Sequence, residues 1–185
     1  MTDHRLTGIY RREGDCNLIE IKLHDPAQLF NSLDPSPFRE RDIDPDAAEY
    51  IVDAVRELHG HRKVKLVVYL PTPHAEDLQD MLHQSIRNYF RYRETIARLQ
   101  VRQKLRLGRS SIAIGLMFLA ACNLVRLGLP AEGISFGTVR EGLLIIGWVA
   151  MWKPLEILLY EWWPLLADAR LYGRISQMPV EVRED

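Results

Sequence analysis

The chain has 185 residues, 24 Lys+Arg against 25 Asp+Glu, and a formal net charge of -1. That length holds one ordinary domain, or a small domain with an appendage. A charge this close to zero gives no global reason to bind nucleic acid or an acidic substrate, and two cysteines, Cys16 and Cys122, exclude a disulfide framework and a cysteine-based zinc site.

Composition alone, at 47% hydrophobic, describes a soluble domain, yet the apolar residues concentrate in 110–166. Residues 1–20 are polar and mixed in charge, so no signal peptide is expected. Residues 1–72 read as a small α/β module. Segments 6–12 and 16–23 predict two strands joined by a turn at Glu13-Gly14-Asp15. In the second, Ile19, Ile21 and Leu23 alternate with Glu20 and Lys22, which buries one face. Asp25-Pro26 predicts a short helix to about Leu33, followed by a loop that Pro35 and Pro37 keep non-helical. Asp44 and Pro45 suit the N-cap and first position of an amphipathic helix. Its apolar face is Ala48, Ile51, Val52, Val55 and Leu58, and Gly60 suits its end. Residues 64–70 give the strongest strand signal, and strand, helix, strand predicts a crossover if the strands are parallel.

Thr72-Pro73 opens a long helix over 73–109, with Leu78, Leu82, Ile86, Tyr89, Ile96 and Leu99 as its apolar stripe. Its second half is basic. Residues 110–129 predict a first membrane span, since 110–125 contains no ionisable side chain apart from the normally neutral Cys122. Arg126 would snorkel to the far interface. Residues 130–141 read as a short external loop. A second apolar run fills 142–163 and is interrupted at Lys153-Pro154-Leu155-Glu156. It predicts either one span kinked at Pro154, or a dip over 142–152 with an interfacial helix over 154–166. Trp148, Trp152, Trp162 and Trp163 fit an aromatic belt in both cases.

The competing reading is a pair of core helices in a soluble bundle. Eight Lys/Arg in 87–109 against two in 126–140 favour the membrane and put both termini in the cytoplasm. The tail, 164–185, belongs on the same side, with a strand signal at 178–182 that Pro179 confines to the edge or end of a sheet. The expected fold class is an α+β membrane protein: a small cytoplasmic α/β module, a long amphipathic basic helix and a two-helix transmembrane hairpin.

Two motifs carry a resemblance. One is Gly147-Trp148-Val149-Ala150-Met151-Trp152-Lys153-Pro154-Leu155-Glu156, followed by Leu159-Tyr160-Glu161-Trp162-Trp163-Pro164. The other is Ser36-Pro37-Phe38 followed by Arg41-Asp42-Ile43-Asp44. Together they resemble a family of small, uncharacterised bacterial inner-membrane proteins with two predicted spans. The resemblance covers most of the chain from about residue 17 onward. It implies a bacterial inner-membrane location and carries no activity.

Lys153 and Glu156 can pair on one helix face, with Glu161 about one and a half turns further on. Ionisable residues inside a span point to function by default. Three readings stand: a headgroup-level pair beside a bend at Pro154, a clamp within or between subunits, or a proton or ion path. Arg98, Arg102, Lys104, Arg106 and Arg109 are expected to contact anionic lipid. Tyr89, Phe90 and Tyr92 interleave with arginines as in some RNA binders, but aromatics at helical spacing are usually core, and nucleic acid is not an expected partner. Asp42, Asp44 and Asp46 lack the glycine of a calcium loop and read as helix caps, while His59 and His61 flank Gly60 at a helix end. No metal, cofactor or catalytic residue is expected. Ser111, Gly115, Gly147 and Ala150 let helices approach closely, within the hairpin or between copies.

The function expected is a non-enzymatic membrane scaffold or adaptor. Its partners would be the lipid bilayer, further copies of itself in a homo-oligomer, and an unidentified protein. The alternatives are an oligomeric channel or transport subunit using Lys153 and Glu156, and a membrane-tethered enzyme or ligand sensor.

Overall fold

The computed structural model describes residues 10–34, 41–58, 63–71, 76–130 and 134–184. The protein is a mixed α and β chain, mostly helical, with one four-stranded sheet and two long apolar helices. It forms two compact units, one of Met1–Ile96 with Asp168–Asp185 and one of Ala97–Ala167.

The first unit holds the sheet, in the order β1-β2-β3-β4. Strand β1 (Arg12–Glu13) pairs antiparallel with β2 (Cys16–Lys22). Gly14 turns the corner with φ +61, a left-handed conformation that glycine adopts without a Cβ clash. Of the expected strand over 6–12, Arg12 lies in β1 while Tyr10 and Arg11 precede it; residues 1–9 lie outside the described residues. A single 3-10 turn, Pro26–Leu29, replaces the expected helix to Leu33. Asp25 and Gln28 form a capping box around it, and Phe30 then leaves in extended conformation to bridge Ile43. Both residues are buried, so burying them stops the helix. The Ser36-Pro37-Phe38 motif falls outside the described residues.

Helix α1 (Pro45–Glu57) starts where the sequence places it. Asp44 caps it, its Oδ1 accepting from the backbone N–H of Asp46 at 3.0 Å and of Ala47 at 3.4 Å. Gly60, His59 and His61 lie outside the described residues, as do Thr72 and Pro73. Strand β3 (Lys63–Leu70) pairs parallel with β2, Ile19 opposite Leu66. Strand β4 (Val180–Glu184) pairs parallel with the other side of β3, Leu66 opposite Val180. Pro179 precedes the strand, so no ladder bond is lost to its missing N–H.

Alternation then sorts the side chains. One face of the sheet carries Ile19, Leu23, Val64, Leu66, Val68, Leu70 and Val180 into the core. Ile51, Val55 and Leu58 of α1 cover it, with Leu82, Ile86 and Phe90 from helix α2 (Glu76–Gly128) and Ile175 from helix α4 (Trp163–Ile175). The module is therefore not contained in 1–72: its core draws on both helices and on the last strand. All of 71–179 is one connection between the parallel strands β3 and β4.

The other face is a charged lattice. Arg183 bonds Glu13 at 2.7 Å and Glu181 at 2.8 Å, and Lys65 pairs with Glu181 and, at 3.7 Å, with Glu13. Tyr69 donates to Glu20 at 2.8 Å. Val67 and Leu18 point to this face yet are fully buried. The aliphatic stems of the lattice residues can cover them while the charged heads reach water.

The hydrogen bond from Arg183, and then that from Lys65, hold the Glu181 carboxyl down at about 2. A folded pKa below the unfolded one means stability that is present above the unfolded value of 4.5 and is lost as pH falls toward about 2. Glu181→Gln is therefore expected to lower the thermal midpoint near neutral pH and to flatten its decline on the acid side. Equal acid-side slopes for the two chains would remove Glu181 as the titrating group.

Candidate functional site

In the unit Ala97–Ala167, α2 is paired with helix α3 (Ile134–Glu156). The register runs in opposite directions: Gly108 meets Ile157 and Leu158, Gly115 meets Met151, and Gly147 meets Leu119 and Cys122. Closeness explains the small residues. A Cβ added to Gly115 would stand 2.8 Å from the Met151 sulfur, and one on Gly147 2.8 Å from a Leu119 methyl. Gly108, which could have ended the basic helix, is instead buried against Leu158, and α2 runs through it without a break. Both Gly115 and Gly147 are thus used inside one hairpin. Ser111 and Ala150 are half-buried.

The loop expected over 130–141 is shorter. Helix α3 already begins at Ile134, and only 131–133 of that stretch lie outside the described residues. Its first turns carry Arg140 and Glu141, which the sequence reading placed in the external loop.

Beyond Met151 the geometry changes. Pro154 has no N–H to give the carbonyl of Ala150. The chain stays helical through it, then widens into a π turn, Ile157–Glu161, before α4 begins. A π turn adds one residue to the helix, so a residue eight places on takes the angular position of the seventh, almost the same face. That brings Glu161 back over Lys153. Lys153 Nζ donates to Glu161 at 2.6 Å and to Glu156 at 3.1 Å, and Lys104 Nζ from α2 donates to the second Glu161 oxygen at 2.7 Å. Trp162 closes the wide turn, its indole N–H donating to the Leu158 carbonyl at 2.8 Å.

The result is a neutral clamp of two lysines and two glutamates tying α2, α3 and the π turn together. Lys153, Glu156 and Glu161 were legible as a set in the sequence. Lys104 was not: it read as one more cation on a basic helix, and no local signal separates it from Arg102 or Arg106. Arg98, Arg102, Arg106 and Arg109 all stay exposed. Arg109 Nε reaches back to the Leu105 carbonyl at 3.4 Å.

In the first unit, a cavity of about 710 Å³ is lined by Lys63, Arg170 and Arg174 together with Cys16, Val64 and Met178. It lies where α1 and α4 end, and cations at helix C-termini are stabilised by the dipole. Among the described residues no group of three or more His, Cys, Asp or Glu is placed to hold a metal ion. Asp44 and Asp46 sit at the start of α1, where Asp44 caps it.

No family model, no curated protein and no solved structure matches this chain.

Proposed function

We propose that the chain is a membrane-anchored scaffold, in which α2 from about Ser110 and α3 cross a bilayer as a hairpin and hold the α/β unit at its surface. The supporting observation is which side chains are bare. The two apolar windows are only 11% and 22% buried. Ile114, Met117, Leu124, Ile145 and Val149 are each more than 60% exposed. Core helices of a soluble bundle would bury such residues, and a bare apolar surface of this extent is stable only against lipid or another apolar partner.

The clamp fits the same reading. Lys104 lies among Arg102, Arg106 and Arg109, about 9 Å of helix before Ser110. That is headgroup depth, where ion pairs cost little and arginines meet anionic lipid. Trp152 and Trp163, both exposed, suit the same level. The polar groups at this end bond one another, which is the chemistry of a structural clamp. Lys153 and Glu156 are bonded to each other, and Lys153 to Glu161, within one chain. We place the termini in the cytoplasm, from the cation asymmetry, and the protein in a bacterial inner membrane, from the resemblance.

Alkaline carbonate extraction tests the anchoring. The full chain should stay in the pellet and be released only by detergent; release by carbonate would overturn it. Orientation is tested on a chain with Cys16→Ser and Cys122→Ala. Thr138→Cys should react with an impermeant maleimide on intact spheroplasts, and Gln177→Cys only after lysis. The reverse pattern would invert the topology.

A further inference from the structure

Strand β4 ends the sheet, flanked by β3 alone among the described residues. Leu66 donates its N–H to the Pro179 carbonyl at 3.0 Å, and Leu66 lies opposite Val180. In a parallel ladder of that register the backbone N–H and C=O of Glu181 and Arg183 face β3. Those of Val180, Val182 and Glu184 point away from it. Among the described residues no strand, turn or side chain takes up these outward groups. An edge of this kind is a template for another strand.

We propose that β4 pairs antiparallel with β4 of a second copy of this chain, about a twofold axis through Val182, joining the two sheets into one. The charges select the occupant and the register. Antiparallel pairing sets outward-facing residues against outward-facing residues in the hydrogen-bonded positions. With Val182 opposite Val182, Val180 falls opposite Glu184 at each end. Glu181 of one copy then falls opposite Arg183 of the other, in the positions without hydrogen bonds, where side chains approach most closely. Sliding by one step either way that keeps the hydrogen bonds sets Glu181 against Glu181, or Arg183 against Arg183. Like charges directly opposite are destabilising, so the sequence of this edge favours one register and disfavours its neighbours.

The side chains are placed for it. Glu181 and Arg183 share the open face and remain 32% and 26% exposed despite their bonds within the chain. Glu13, Lys65, Glu181 and Arg183 sum to zero, so two such faces do not repel each other. The pairing does not depend on the hairpin being in a bilayer, and its failure is read separately from that of the anchoring.

The test is the particle mass of the full chain in mild detergent, measured for four proteins. The natural chain should be a dimer. Glu181→Arg and Arg183→Glu should each halve the mass, because each sets like charges across the axis. Mixing the two should restore the dimer, since the strand with two arginines then faces the strand with two glutamates, and every charged pair across the axis is of opposite sign. The fourth, Val182→Pro, removes an N–H that points outward and leaves the β3 ladder intact. It should be a folded monomer by circular dichroism, and it decides the matter if either charge variant fails to fold. A monomeric natural chain, a mixture of folded charge variants that stays monomeric, or a Val182→Pro chain that stays dimeric would each overturn the proposal.

Discussion

Replacing Met117 by Arg is expected to lower the share of the protein in the carbonate-resistant membrane fraction. Met117 lies inside the uncharged stretch 110–125 and is 65% exposed. In water an arginine at so exposed a position would change stability by no more than about 0.5 kcal/mol. Near the middle of a spanning helix the same residue costs about 2.5–3.5 kcal/mol of insertion free energy. At about 1.4 kcal/mol per factor of ten, that lowers the inserted fraction relative to the excluded one roughly 100-fold. The same substitution is thus nearly neutral in water and costly in a bilayer. Met117→Leu is the control and should leave the distribution unchanged. A Met117→Arg chain that pellets as the natural one does would argue strongly that this face never meets lipid.

Phe90→Ala is expected to cost the α/β unit about 3–5 kcal/mol, out of a typical total of about 5–15 kcal/mol. Phe90 is 0% exposed, edge-on to Tyr89 at 5.2 Å and tilted against Tyr172 at 6.2 Å. Removing its ring leaves a cavity among residues from two helices, neither of which can move in to fill it independently. Tyr92, two places on and 61% exposed, is the contrast, and Tyr92→Ala should fall within about 0.5 kcal/mol. Urea unfolding of the full chain, followed by near-ultraviolet circular dichroism, reports both. A Phe90→Ala loss below about 1 kcal/mol would remove that ring from the core.

Phe90 also shows where reading the sequence stops. The apolar stripe predicted for this helix was Leu78, Leu82, Ile86, Tyr89, Ile96 and Leu99. In the structure Leu82, Ile86 and Phe90 form the buried line, Tyr89 is half-buried and Leu99 is 48% exposed. Periodicity identifies an amphipathic helix but gives its azimuth only to within about one residue step, roughly 100° on the helix wheel. Which aromatic enters the core depends on the sheet and on α4, whose residues come from the other end of the chain. The same limit explains why Arg98, Arg102, Lys104, Arg106 and Arg109 read as one basic set: only Glu161 of the π turn singles out Lys104.

The sequence by itself determined the local elements. Asp44 and Pro45 set the start of α1, Gly14 set the first turn, and alternation in 16–23 set the buried face of β2. The uncharged runs set two helices long and apolar enough to cross a membrane. Each of these rests on a pattern read within a few turns of chain, where the backbone couples neighbours directly. What joins distant segments was decided only by tertiary structure. It paired β4 parallel with β3, made the whole hairpin a connection within one sheet, and used Gly115 and Gly147 inside a single chain. It also inserted the π turn that carries Glu161 to Lys153. That last step turns on one added residue in a helix: without it a spacing of eight leaves the two side chains about 80° apart, and with it they share a face.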